Sequence, residues 1–227
     1  MTAKSIEANP APFPQGGDFE PARTALLVID MQRDFCAADG YMHRLGCDLA
    51  RLRAPIEPLR RVLDAARSAG LTVIHTREGY APDLSDLQPW KKAGATNEAI
   101  GSRGLLGRAL VRGEFGWDFI EELQPEPGEA VYDKSSYGAF VTTTLGADLK
   151  AKGIDTAILT GVTTDCCITS SLREALDRGI DCMVVEDCVT AGSAKRHEAA
   201  LTMIREAGGV FGTLGQSQDV VAALSGS

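Results

Sequence analysis

Apolar residues fall along this chain in two kinds of run. Thr24–Ile29 is short, continuous and rich in branched side chains, and so are residues 71–76 and 156–160. A run of that length with no polar alternation predicts a strand buried on both faces. Residues 129–133 and 181–186 read as two more strands, and 209–212 as a short edge strand, six in all. Between them the spacing turns helical. Leu59, Val62, Leu63 and Ala66 share one face and Gly70 closes it, while Pro55 and Pro58 rule out one long helix from Asp48 and place the start near Pro55. Further helices are predicted over 142–152, 167–178, 193–206 and 218–224, with a short one around 117–123.

Strands alternating with helices predict an α/β fold: three α/β/α layers around a mainly parallel six-stranded Rossmann-like sheet. Nothing repeats, and no second domain is indicated. Residues 1–23 carry Pro10, Pro12, Pro14, Pro21 and the pair Gly16 and Gly17, which predicts an extended arm ahead of a domain over 24–227. Such an arm is either disordered or laid across a neighbouring subunit, and the second is the favoured expectation. The connection over 77–116 is weakly periodic and long for a compact domain, which marks it as functional.

Composition changes this picture little. A net charge of −8 sets nucleic acid and anionic membranes aside as main partners. No run approaches the roughly 20 apolar residues of a membrane span. The six cysteines include no C-x-x-C pair, and the first residues lack the apolar segment of a secretory signal. Reduced thiols in a cytoplasmic protein are the expectation.

In open parallel sheets, chemistry gathers beyond the carboxyl ends of the strands. Asp30 ends the first strand, Lys134 follows the third, and Cys167 lies just past the fourth, where a helix is expected to begin. A thiol at a helix N-terminus meets unpaired N–H groups and the positive end of the helix dipole, which favours its thiolate. A carboxylate, an ammonium and a thiol that converge form a nucleophile, its base and an electrostatic partner. Taken singly, each has a blander reading: a turn residue, a solvated lysine, a small buried hydrophobe. Cys166 is a rival nucleophile, about 100° away around a helix. His75, at the end of the second strand, leaves a Cys-His pair open.

Three stretches carry a resemblance. Val28, Ile29, Asp30, Met31, Gln32, Asp34 and Phe35 form the first; Asp133, Lys134, Tyr137 and Phe140 the second; Gly161, Val162, Thr164, Cys167 and Arg173 the third. In this order they are similar to the signatures of the isochorismatase-like cysteine hydrolases, over Thr24 to about Phe211. The resemblance implies a triad of Asp30, Lys134 and Cys167, selects Cys167 over Cys166, and leaves Cys166 to packing. It also implies a cis peptide between Val162 and Thr163, with the N–H groups of Thr163 and Cys167 as an oxyanion hole. Relatives are commonly dimers or tetramers, which implies a homo-oligomer. Nicotinamidases of this superfamily hold a metal through an Asp-x-His cluster after the second strand. Residues 76–83 contain none, so no metal and no cofactor is expected.

Within the superfamily the chain most resembles the ureide amidases: biuret hydrolases above all, triuret hydrolases and ureidoacrylate amidohydrolases. Ala54 to Pro58, His75 to Gly79, Arg112 to Asp118 and Val185 to Cys188 carry that likeness. One departure is Ala207, ahead of Gly208 and Gly209, where biuret hydrolases have glutamine; a triuret-like substrate then becomes plausible. Phe35, Arg77, Glu78 and Tyr137 are candidates for holding a planar ureide, whereas Trp117 reads at least as well as a packing residue. The function expected is hydrolysis of a C–N bond in a small linear ureide of the biuret or triuret type through the Cys167 thiolate. The alternatives are a ureidoacrylate or carbamoyl-amide hydrolase, and a non-catalytic binding module of the same fold.

Overall fold

The computed structural model describes residues 5–92 and 99–225, so part of the 77–116 connection lies outside the described residues. Among the described residues nine strands are formed: β1 (Ala8–Asn9), β2 (Thr24–Ile29), β3 (Thr72–Glu78), β4 (Arg103–Gly104), β5 (Gly107–Arg108), β6 (Ala130–Lys134), β7 (Thr156–Val162), β8 (Asp181–Thr190) and β9 (Thr213–Gly215). Seven make one sheet in the order β1-β9-β8-β7-β2-β3-β6, while β4 and β5 pair only with each other. Every neighbour pair in the large sheet is parallel except β1 with β9.

The helices are α1 (Arg33–Cys36), α2 (Tyr41–Arg44), α3 (Leu49–Arg53), α4 (Ile56–Ser68), α5 (Pro89–Lys92), α6 (Leu145–Ala151), α7 (Thr169–Leu176), α8 (Ala194–Glu206) and α9 (Ser217–Ser225). The continuous apolar runs follow from the layering. Leu26 and Val28 of β2 join a core with Leu59 and Val62 of α4 and Val220 of α9. Their neighbours Ala25, Leu27 and Ile29 join a second core with Leu149 of α6, Leu172 of α7 and Leu201 of α8. With apolar layers on both faces, all six residues of β2 are buried, and its one polar side chain, Thr24 at the strand's start, has its hydroxyl bonded to the Glu20 carbonyl and to Thr156.

Several elements differ from the sequence pattern. The sheet has seven strands, not six, because part of the arm joins it. Residues 5–23 lie on their own chain: Ile6 and Phe13 exchange backbone hydrogen bonds of 2.7 and 2.9 Å, and β1 pairs Ala8 with Gly215 and Asn9 with Leu214. The last strand starts at Thr213 rather than 209, since Gly209 and Gly212 have φ of 90° and 78° and turn the chain. Around 117–123 only a 3₁₀ turn forms, at Glu121–Leu123. The helix expected from residue 167 is preceded by a π-helical turn at Thr164–Ile168, with α7 starting at Thr169. Among the described residues, no helix is long and apolar enough to cross a membrane.

Phe13 is fully buried, with its ring 6.4 Å from that of Phe19. Phe13→Ala is expected to lower unfolding free energy by about 3 kcal/mol or more, the usual cost of emptying a buried aromatic site. Urea denaturation checks this; an unchanged midpoint would mean the arm adds nothing to the fold.

Candidate active site

Asp30, Lys134 and Cys167 meet at the carboxyl ends of adjacent strands. β7, β2, β3 and β6 lie side by side, and each delivers one polar group there. Asp30 leaves β2 with φ of 53°, a left-handed conformation unusual for a residue with a side chain. Its N–H donates to the Thr76 carbonyl at 3.1 Å, and the Thr76 hydroxyl donates to Asp30 Oδ1 at 2.7 Å. β7 approaches β2 at the same level. A Cβ on Gly161, whose φ is 104°, would drive into the Ile29 carbonyl oxygen, so glycine is required. The next peptide, Val162–Thr163, is cis.

Lys134 is wholly enclosed. Its Nζ lies 2.7 Å from Asp30 Oδ2, 3.7 Å from Glu78 Oε2 and 3.7 Å from Cys167 Sγ, and it donates to the Ser136 carbonyl at 3.0 Å. Burial alone would drive the ammonium toward neutrality, but Asp30, Cys167 and Glu78 together outweigh it and hold Lys134 above the ordinary lysine range. Glu78 is also buried. Its Oε2 accepts from the Cys167 thiol at 3.4 Å and its Oε1 accepts from the Tyr80 hydroxyl at 2.9 Å. Tyr80 in turn accepts from Lys91 Nζ at 2.5 Å.

The thiol departs from expectation. Cys167 sits inside the π-helical turn rather than at the head of an α-helix. Its pKa is raised well above the ordinary thiol range: the hydrogen bond with Cys166 and burial hold the proton on, the carboxylates of Asp30 and Glu78 add to this, and Lys134 alone opposes them. These groups favour the thiol over the thiolate. Cys166 is half-buried against the same core and lies beside Cys167.

The other candidates separate. Phe35, on α1, is buried in the core shared with α4. Arg77 alternates away from Glu78 along β3: it bonds Asp118 at 2.9 Å and Asp133 at 2.8 Å and lies 3.8 Å above the Trp117 ring. Trp117 packs there. His75 shares Arg77's face, held by Glu129 at 2.8 Å, and is no partner for Cys167. Tyr137 is partly exposed, with Lys91 Nζ 4.0 Å from its ring centroid. Ala207 caps α8 ahead of β9. Gln15 ties the adjoining Gly209 to Asp181 at the start of β8, so this turn lies at the opposite end of the sheet from Cys167.

Three participants escaped the sequence reading. Thr76 and Tyr80 were open to the two-residue period that puts them on the same face as Glu78. Lys91, on a helix of four residues, had no such signal. Donor atoms of Asp30, Glu78 and Cys167 lie within 4.8 Å of one another and would suit a cation, and the Lys134 ammonium already supplies that charge among them.

On alkylation, Cys167 is expected to react more slowly than free cysteine at about pH 7, and its rate should keep climbing past about pH 8.5, the ordinary thiol value. Iodoacetamide labelling, read by fragmentation that separates residues 166 and 167, checks this; a plateau below about pH 8 would mean a resting thiolate.

The isochorismatase domain family matches residues 24–216. Among sequence relatives, the ureidoacrylate amidohydrolase RutB of Yersinia enterocolitica is 32% identical over 202 residues, 86% of each chain. RutB of Agrobacterium fabrum is 30% identical over 188 residues, 81% of each chain. A cysteine hydrolase from Pseudomonas syringae superposes with a TM-score of 0.79 at 24% identity, covering 100% of this chain and 99% of that one. N-carbamoylsarcosine amidase from Thermoplasma acidophilum gives 0.64 at 28% identity, covering 86% and 96%. With its parallel sheet, its three signatures in order and a domain match spanning nearly the whole chain, this protein belongs to the isochorismatase-like hydrolase family.

Proposed function

We propose that the protein is a cysteine-dependent amidohydrolase of small ureides, with ureidoacrylate and related carbamoyl compounds ahead of biuret and triuret. The observation that carries this is the enclosed thiol of Cys167, in contact with Lys134 and Glu78 and close to Asp30. The order of substrates rests on the relatives, which are ureidoacrylate amidohydrolases; Ala207, standing apart from the site, carries no argument for or against biuret.

The chemistry begins with a thiol and two carboxylates around one ammonium. Asp30 takes the proton of Cys167 as the sulfur attacks the ureido carbon, and the carbonyl electron pair moves to oxygen. The N–H groups of Thr163 and Cys167 are assigned as donors to that oxyanion, a role worth about 3 kcal/mol of barrier per donor. Collapse breaks the C–N bond, and the nitrogen leaves with the proton held by Asp30. A water then gives its proton to Asp30 while its oxygen attacks the carbamoyl carbon, the C–S bond breaks, and the proton returns to sulfur. The site's charge is constant throughout the proton transfer, which suits a pocket this dry. Once the thiol proton has left, Glu78 Oε2 is free to accept a ureido N–H, and Tyr137 lies at the exposed side.

Cys167→Ser is expected to lower kcat by at least about a thousandfold with the fold intact, and Asp30→Asn by about a hundredfold to ten-thousandfold. Cys166→Ser should retain most activity. Ammonia release from ureidoacrylate, N-carbamoyl amino acids, biuret and triuret is the assay, with circular dichroism as the folding control. Full activity in Cys167→Ser, or loss only in Cys166→Ser, would sink the assignment. A larger kcat loss in Glu78→Gln than in Asp30→Asn would transfer the base to Glu78, which already holds the thiol hydrogen bond.

A further inference from the structure

Lys91 is, among the described residues, a charged side chain near the site that the chemistry above leaves without work. It is half-buried on α5, and its Nζ donates to the Tyr80 hydroxyl at 2.5 Å and to the Ser135 carbonyl at 3.4 Å. The same ammonium stands 4.0 Å from the ring centroid of Tyr137 and 5.0 Å from that of Tyr80. Among the described residues no carboxylate lies within salt-bridge distance of it. Several other half-buried cations hold a carboxylate, Arg67 with Glu129, Arg77 with Asp133, Arg112 with Asp86 and Arg205 with Glu186, whereas Arg51 and Arg173 share with Lys91 the lack of one among the described residues.

The position of this cation is set by the site. Lys91 is linked to Cys167 through the Tyr80 hydroxyl and the Glu78 carboxylate, a chain of three hydrogen bonds. Glu78, Lys134, Cys166 and Cys167 all act on it electrostatically. Burial lowers its pKa, with Glu78 opposing, so the ammonium is partly stripped of water without a full counter-ion in return.

Charge counting inside the site says what such a cation is for. Asp30 and Glu78 face one ammonium, Lys134, so an anionic substrate entering the pocket meets an excess of negative charge. A neutral ureide has no such difficulty and needs no second cation. A substrate bearing a carboxylate does need one, placed a short way from the thiol so that the ureido carbon can still reach sulfur. Lys91 is so placed, and the partly exposed ring of Tyr137 beside it can flank a planar unsaturated or amide linker.

We infer that Lys91 is the specificity-determining residue of this site, binding the carboxylate of an anionic ureide whose carbamoyl end is presented to Cys167. This rests on the amidohydrolase reading above and narrows it to carboxylate-bearing ureides.

The test compares ureidoacrylate with its neutral counterpart, in which a carboxamide replaces the carboxylate. In Lys91→Met the ratio of kcat/KM for the acid to that for the amide should fall about tenfold to a hundredfold, the span of a hydrogen bond to a charged group. The fall should come through KM, and Lys91→Arg should restore most of the ratio. In the Cys167→Ser background, calorimetry should show the acid, not the amide, losing affinity when Lys91→Met is added. An unchanged ratio in Lys91→Met, including one in which both compounds lose equally, would overturn the inference and leave Lys91 as a support for Tyr80 and Glu78. If the unaltered protein turns over neutral ureides in preference to the acid, the anchor falls and the amidohydrolase reading stands. If it turns over neither, both fall together.

Discussion

The ion pair between Lys134 and Asp30 sets the terms for the rest of the site. An ammonium and a carboxylate with no solvent exposure give up several kcal/mol of hydration each, and a 2.7 Å contact recovers this only if the remaining donors and acceptors are also met. They are met by main chain and neighbours: the Ser136 carbonyl for lysine, the Thr76 hydroxyl for aspartate, Glu78 as a second anion. Thr76 and Glu78 stand at the carboxyl end of β3 and Ser136 on the loop after β6. Register between β2, β3 and β6 is therefore part of the electrostatics, because Arg77 pairs with Asp133 and Glu78 with Lys134 across the same two strands. A slip of one residue would exchange an outward pair for the inward one and leave Asp30 facing no cation.

That arrangement also favours the thiol over the thiolate. A thiolate there would lie beside Asp30 and Glu78 with Lys134 alone to offset them. In the proposed reaction, activation of the sulfur depends on moving a proton among fixed groups and owes little to a helix dipole. The π-helical turn suits this, since it directs Cys167 toward the lysine while Cys166 stays on the rim beside it.

The fold was largely legible in the sequence because burial on both faces leaves long apolar strands and periodic helices that need no tertiary knowledge to read. Asp30, Lys134 and Cys167 were visible as polar residues near strand ends, but each also had a blander reading, and it was the three family signatures that joined them into a triad. What escaped was set by contacts rather than by pattern. β1 is two residues long, sits beside prolines, and exists only because β9 offers it an edge. The π-helical turn looks like any helix start. Arg77 and Glu78 are adjacent and equally polar, and only the pleat of β3 sends one to the thiol and the other to Trp117. Lys91 acquires its meaning from Tyr80 and Tyr137, far from it in pattern if not in space.

The arm has a consequence for how copies of this chain can meet. A sheet with a bare border invites another strand, and β9, three residues long and fully buried, would be such a border if nothing covered it. β1 occupies it, running antiparallel, and the hairpin-like contact of Ile6 with Phe13 folds the arm back on itself. On that side the border of the sheet is thereby β1, two residues long and followed at once by Pro10, and it leaves a second molecule far less backbone to pair with than β9 would.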